Sequence, residues 1–324
     1  MDDFDWWKKR VNELAGKKKE IKRMYDIVKE KLPASQLYTK RDSWVFMKLV
    51  ILAYYIPIYT NIMRKWRENM IYIDLFSGPG FNYIKSIDEI IAGSPLLAHL
   101  MPRTTKKGRS NAFDDLVLFD KNPLYCETLQ KVLPYATVTC CDCNAPETIS
   151  VIKKKLRPFH KSHFLAFIDP EGLQTNWNTL EGLLKSNGDL IINYMYLGVG
   201  RNFGSYHKTS GKRKEGMERK LTTFFGDDSW KRIPSDGNKS ANLLQLYLNK
   251  LYEYRKFLLV IPIISGIGGF QYRIIMAIRD TPAGSPWMKA MEDVKKRIEN
   301  MTVDQFNRLM LVYRGKQSTL DQFF

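Results

Sequence analysis

IYIDLFSGPG, residues 71–80, decides how this chain is read. Its first residues alternate around two β-branched isoleucines, the pattern of a short buried strand, and the run stops in Ser77, Gly78, Pro79 and Gly80. A strand that ends at a carboxylate, Asp74, and then turns on glycine describes the ligand edge of a parallel α/β sheet. Ligands there lie beyond the carboxyl ends of the strands, where strand order reverses. Glycine lets the backbone approach such a ligand with no Cβ between them. Asp74 and Phe76 are therefore expected to flank a bound cofactor, with Gly78, Pro79 and Gly80 passing beneath it.

Working outward, the same kind of segment recurs. LVLFD (116–120) ends in Asp120, ATVTCC (136–141) in Asp142, Cys143 and Asn144, FLAFID (164–169) in Asp169 and Pro170, and DLIINY (189–194) in Asn193 and Tyr194. FLLVIPI (257–263) and YRIIMAI (272–278) stand too close for a parallel crossover, so they pair as an antiparallel hairpin. Five parallel strands linked by helical segments, closed by a hairpin, predict an α/β fold. The pattern is that of a Rossmann-like class I methyltransferase sheet rather than a dinucleotide-binding one. Four successive strands ending in Asp74, Asp120, Asp142 and Asp169 would gather those acids in one crevice. A carboxylate after the second strand can accept both hydroxyls of a ribose, and Asp142 with Asn144 can meet an adenine edge. The cofactor expected is S-adenosylmethionine.

Residues 1–69 read as a basic helical extension, with Ile21, Met24, Tyr25 and Val28 at helical spacing before Pro33. The apolar stretch 43–63 is interrupted by Lys48 and Pro57, which predicts a buried helix, a turn and a shorter helix rather than a membrane span. Residues 86–101 read as helical, and Ser94 before Pro95 can cap a helix starting there. The expected organisation is the extension, a sheet domain over 70–280, a helical segment over 281–313 and a flexible tail over 314–324.

The net charge of +17 on 324 residues favours a polyanionic partner, of which nucleic acid is the commonest inside cells. In residues 201–220, seven Lys or Arg against two Glu predict a mobile loop gripping phosphates through Arg201, Lys208, Lys212, Arg213 and Lys214. Cys126, Cys140, Cys141 and Cys143 make neither a disulfide framework nor the two paired motifs of a structural zinc site, so no metal is expected. Asp2, Asp3 and Asp5 replace the apolar run of a secretory leader, and a reducing, cytoplasmic setting is expected.

YIDLFSGPG, the GSPL at Gly93, LFDKNP at Leu118, CDCN at Cys141, FIDPEGL at Phe167, the NY…GVGRN run from Asn193 and FFGDDSW together resemble the three-Cys-motif partner proteins over residues 71–226. The resemblance implies a methyltransferase-like fold that binds S-adenosylmethionine. Asp169-Pro170 also resembles the Asp-Pro pair with which amino-group methyltransferases hold the exocyclic nitrogen. Glu171-Gly172 departs from their usual Pro-aromatic continuation and is closer to that of tRNA guanine-N2 methyltransferases. Tyr194 or Trp177 is the candidate stacking face. With Asp169, Pro170 and Tyr194 in the catalytic role, nitrogen methylation is the expected chemistry.

The terminal QSTLDQFF places Gln317, Leu320, Phe323 and Phe324 at the spacing of a PCNA-interacting peptide, in which a helical turn gathers the apolar side chains on one face. A sliding clamp encircles duplex DNA. The combined expectation is a clamp-recruited nucleic-acid methyltransferase acting on DNA in replication or repair. The alternatives are a non-catalytic clamp-binding adaptor and an RNA methyltransferase.

Overall fold

The structure, a computed structural model, describes residues 2–41, 44–105, 108–157, 161–235, 237–264, 271–279 and 286–315. Seven strands form the central sheet: β1 (Asn69–Asp74), β2 (Asp115–Asp120), β3 (Thr137–Cys140), β4 (Ser162–Ile168), β5 (Gly188–Tyr194), β6 (Phe257–Ile264) and β7 (Gln271–Ile278). Their spatial order is β6-β7-β5-β4-β1-β2-β3. β1 to β5 are mutually parallel, and β7 runs antiparallel to both its neighbours. The chain is thus α/β with a mixed, mostly parallel seven-stranded sheet. The expected hairpin is present, but its second strand, not its first, joins β5 through Tyr194 opposite Arg273.

Side-chain parity divides the core in two. Met70 and Tyr72 of β1 enter one apolar cluster while Ile71 and Ile73 enter the other, and both faces are buried, as parallel strands covered by helices require. One face carries the helices Asp3–Ala15, Lys18–Lys29, Trp44–Met63, Pro286–Glu299 and Val303–Arg314. Helices from both ends of the chain therefore share one layer. Lys18 joins them over the Tyr313 ring, at 4.5 Å, and Arg297 through Asp3. The opposite face carries Trp177–Leu184, Tyr196–Lys208, Gly211–Phe225 and Lys239–Tyr252.

Trp44–Met63 is one continuous helix with Pro57 inside it, so the expected turn is absent. Its segment 45–63 is long and apolar enough to cross a membrane, yet is mostly buried within the molecule. It is apolar on every side because neighbours surround it. Residues 86–101 are not one helix: strands Phe81–Ile84 and Glu89–Ala92 form a hairpin, and the helix Ser94–Leu100 follows, with Gly93 at its N-cap. The β-branched run 89–92 pairs along its backbone, which overrides a helical reading of a short apolar segment. Thr39–Arg41 adds in parallel to this hairpin.

Residues 201–220 are not a loop either. They belong to the helices Tyr196–Lys208 and Gly211–Phe225, which bury Val199, Phe203, Leu221, Phe224 and Phe225 on one side. The apolar stripe supplies the packing that the charged residues alone conceal. Gln317, Leu320, Phe323 and Phe324 lie outside the described residues.

Candidate functional site

The site is built where β1 stops. Asp74 is fully buried and accepts from the Phe76 amide at 3.1 Å, Ser94 Oγ at 2.6 Å and Tyr72 Oη at 3.3 Å. Burial nevertheless raises its pKa to about 7, and these hydrogen bonds only partly oppose the rise. Asp74 sits behind the loop and organises it rather than flanking a ligand. Its neighbours tie the loop to the adjacent strands: Leu75 N–H donates to Phe167 O at 3.3 Å and Ser77 N–H to Phe119 O at 3.0 Å.

Gly78 and Gly80 take φ of +58° and +87°, the left-handed region that glycine enters without a Cβ penalty. Gly93 answers a different need. Its amide donates to Gly80 O at 2.7 Å, and a Cβ there would stand 2.9 Å from that oxygen. The GSPL motif therefore closes the loop by backbone contact.

Beyond the loop, along the carboxyl ends of β1, β2, β3 and β4, lies a cleft of about 370 Å³, within the usual ligand-site range. Its walls include Phe76, Gly78, Asp120, Asp142, Cys143 and Asp169 from the expected set. Pro79, Gly80 and Ser94 line a narrower limb of about 30 Å³ under the loop, which shares Phe76, Gly78 and Asp169 with the cleft. Asp120 accepts from Gly78 N–H and Asn122 N–H, both at 2.8 Å, so the second strand's acid also orients the glycine loop. Burial lifts its pKa, and the same two amides pull it back.

Asn144 is spent elsewhere. Its Nδ2 donates to Asp142 Oδ1 at 2.9 Å and Gln174 O at 2.7 Å, and its Oδ1 accepts from Asn176 N–H at 2.8 Å and Thr179 Oγ1 at 3.1 Å. It fastens the loop after β3 to the loop after β4 and lines neither the wide cleft nor its narrow limb. Cys143 is buried at the cleft wall, and desolvation pushes its thiol to about 12, which makes it an apolar lining rather than a nucleophile.

Asp169 ends β4 between two partners: Lys48 Nζ donates to Oδ2, and Asn193 Nδ2 donates to Oδ1 at 2.7 Å. Burial lowers the Lys48 pKa, while the Asp169 carboxylate opposes that fall. Asn193 Oδ1 is buried with no hydrogen-bond partner among the described residues. Pro170 is buried beside Asp169. Tyr194 leaves the site altogether. Alternation along β5 sends it to the face opposite Asn193, where its ring lies 5.1 Å from that of Tyr247 and 6.0 Å from that of Phe224. Trp177 packs in the same core, 5.7 Å from Tyr247.

No family model and no curated protein matches this chain.

Thr39, Arg41, Lys121, Asn122, Tyr125, Glu171 and Gln174 complete the wide cleft. Thr39 and Arg41 come from the N-terminal extension, and nothing in their local sequence announces it. Only the pairing of Thr39–Arg41 with Phe81–Ile84 brings them to the glycine loop. Among the described residues the wide cleft is lined by four carboxylates, Asp120, Asp142, Asp169 and Glu171, and two cations, Arg41 and Lys121, and Lys48 pairs with Asp169 from outside that lining, which leaves an excess of one acid. In a chain of net charge +17 this is a local reversal of sign. Arg201, Lys208, Lys212 and Arg213 are exposed, and Lys214 lies 4.9 Å over the Tyr206 ring, all on the two helices after β5. None of these five lines the cleft.

Proposed function

We propose that this chain binds S-adenosylmethionine across the crest of the sheet and transfers its methyl group to a nucleic acid. The observation that carries the reading is the acid-lined cleft at the ends of β1 to β4 in an otherwise strongly basic chain. A crevice rich in carboxylates favours a cationic ligand bearing a diol and disfavours a phosphate-bearing one. The backbone departs from a dinucleotide fold: the glycine loop continues into the strand Phe81–Ile84, and the helix Ser94–Leu100 begins only after that hairpin instead of directly after the loop. The strand order, with the reversed β7 between β5 and β6, supports a class I methyltransferase sheet over other Rossmann-like arrangements.

The residues fit the cofactor on one structural test: at Gly78, whose φ is +58°, a Cβ would stand 3.5 Å from Thr39 Oγ1 in the lining that the cleft and its narrow limb share, space that glycine leaves open. Asp120 would receive the ribose hydroxyls, and Asp142 with the apolar wall of Phe76 and Cys143 would hold the base. The bound sulfonium supplies an electrophilic methyl group. The protein's own task is to align the acceptor in line with it and to manage one proton. Asp169 stands where that acceptor would lie, with its orientation set by Lys48 and Asn193.

The exposed cations of the helices Tyr196–Lys208 and Gly211–Phe225 support a polyanionic acceptor, and the terminal QSTLDQFF supports recruitment to a sliding clamp and thus DNA as that acceptor. The engagement of Asp169 by Lys48 favours a second reading, a clamp adaptor that binds the cofactor without turnover. Calorimetry with S-adenosylmethionine, followed by methyl transfer to single-stranded DNA, duplex DNA and tRNA, separates them. Binding with transfer to DNA supports the first reading, binding without transfer to any substrate the second, and absence of binding refutes both.

A further inference from the structure

The narrow limb under the glycine loop has only one cation in its lining among the described residues, Arg41. The other charged group there, Asp169, is already held by Lys48 and Asn193. Arg41 does not belong to the central sheet. It ends the strand Thr39–Arg41, whose register places Thr39 opposite Asn82 and Arg41 opposite Ile84, directly after the loop. That pairing fixes the Arg41 backbone beside the strand that continues from Gly78 and Gly80. The close approach of Gly93 to Gly80 holds the loop itself.

Arg41 Nη1 donates to Glu171 Oε1 at 2.6 Å. The two side chains keep 29% and 63% of their exposure, and both line the wide cleft. Ion pairs this exposed contribute little net stability, so the partner is readily exchanged. Glu171 also sits near Asp120, whose pKa its negative charge raises. Its carboxylate thus adds to a crowd of like charges in the wide cleft.

We infer that Arg41 holds the carboxylate of the cofactor's amino-acid end, and that Glu171 and that carboxylate compete for the same guanidinium. The inference rests on the cofactor reading given above. A guanidinium suits a carboxylate because its planar donors can meet both oxygens.

The test is a ligand truncation crossed with substitution, read by calorimetry on the full-length chain. S-adenosylmethionine and S-adenosylhomocysteine carry the amino-acid end, and methylthioadenosine lacks it. Arg41→Gln should weaken the first two at least tenfold and leave methylthioadenosine within twofold. Glu171→Gln should tighten the first two a few-fold and leave methylthioadenosine unchanged, because the competitor is removed. Arg41→Lys should recover part of the loss. Equal weakening of all three ligands by Arg41→Gln would mean that Arg41 merely supports the fold. Unchanged binding of the two complete ligands in Arg41→Gln, or no gain in Glu171→Gln, would likewise overturn the inference while leaving the cofactor reading intact. A wild-type chain that binds none of the three refutes the cofactor reading itself, and the inference with it.

Discussion

Replacing Asp169 by Asn should destabilise this protein far more than its place at a cleft wall suggests, because the substitution removes the carboxylate that pairs with the buried Lys48. The Lys48 side chain keeps 4% of its exposure against 22% for Asp169, so the ammonium is the buried member of the pair. Removing one partner of a buried ion pair costs about 3–5 kcal/mol, since the remaining charge loses its compensation without regaining water. The reverse substitution, Lys48→Met, leaves a carboxylate that still accepts from Asn193 at 2.7 Å and reaches solvent. Its cost should be nearer 1–2 kcal/mol, about that of one charged hydrogen bond. The double variant removes both charges, and an apolar replacement of similar volume is often neutral or better. It should therefore be more stable than Asp169→Asn alone by about 2 kcal/mol or more. Equilibrium urea unfolding followed by tryptophan fluorescence measures all four proteins, and the double-mutant cycle isolates the coupling. A loss below about 1 kcal/mol for Asp169→Asn, with no recovery on adding Lys48→Met, would refute the buried-pair argument. The folded double variant also separates structure from chemistry: it should lose methyl transfer while its fold is kept.

Other consequences are equally direct. Asp74 and Asp189 are fully buried, with pKa values raised to about 7 by desolvation. The native state therefore binds more protons than the unfolded state between about pH 4 and pH 7, and stability falls as pH rises through that window, by up to about 1.4 kcal/mol per unit for each group. Asp189→Asn should flatten this fall, so its stability relative to wild type should improve from pH 5 to pH 7.5; an identical pH dependence would reject the assignment. Gly93→Ala brings a Cβ to 2.9 Å from Gly80 O, and since both are backbone positions the loop must part. Cofactor affinity in calorimetry should drop at least tenfold, and wild-type affinity would show the close approach to be dispensable. Replacing Lys212, Arg213 and Lys214 by Ala should weaken nucleic-acid binding and lower the slope of log K against log salt by up to about 0.9 for each phosphate no longer neutralised. An unchanged slope would remove these helices from the interface. Deleting residues 317–324 should abolish co-elution with the sliding clamp without lowering the melting temperature, whereas a marked loss of stability would assign the tail to the protein's own core.

The strands of the central sheet were legible in the sequence. Four of the five parallel strands are visible as apolar runs ending in a polar tip, because burial on both faces demands continuous apolar residues and the crest demands polar ones, while the edge strand β3, TVTC, is only half-buried. The glycine turn at Gly78 and Gly80 was legible for the same reason, since left-handed backbone admits few other residues. What escaped was whatever depends on distant partners. The alternation of β5 marks Asn193 and Tyr194 as facing opposite ways, but only the packed layers decide that Asn193 meets Asp169 and Tyr194 meets Tyr247. The helices in 201–220 look like a charged loop until their apolar stripe finds the sheet. Asp74 ends its strand like the other acids, yet three local donors and complete burial turn it inward to shape the loop. Arg41 is one basic residue among many along the chain. A strand pairing across about forty residues and an ion pair to Glu171 across 130 place it at the cleft. Local sequence carries the conformational preferences of each segment, while the partner of a charge is chosen by the folded sheet, which brings together groups no local pattern connects.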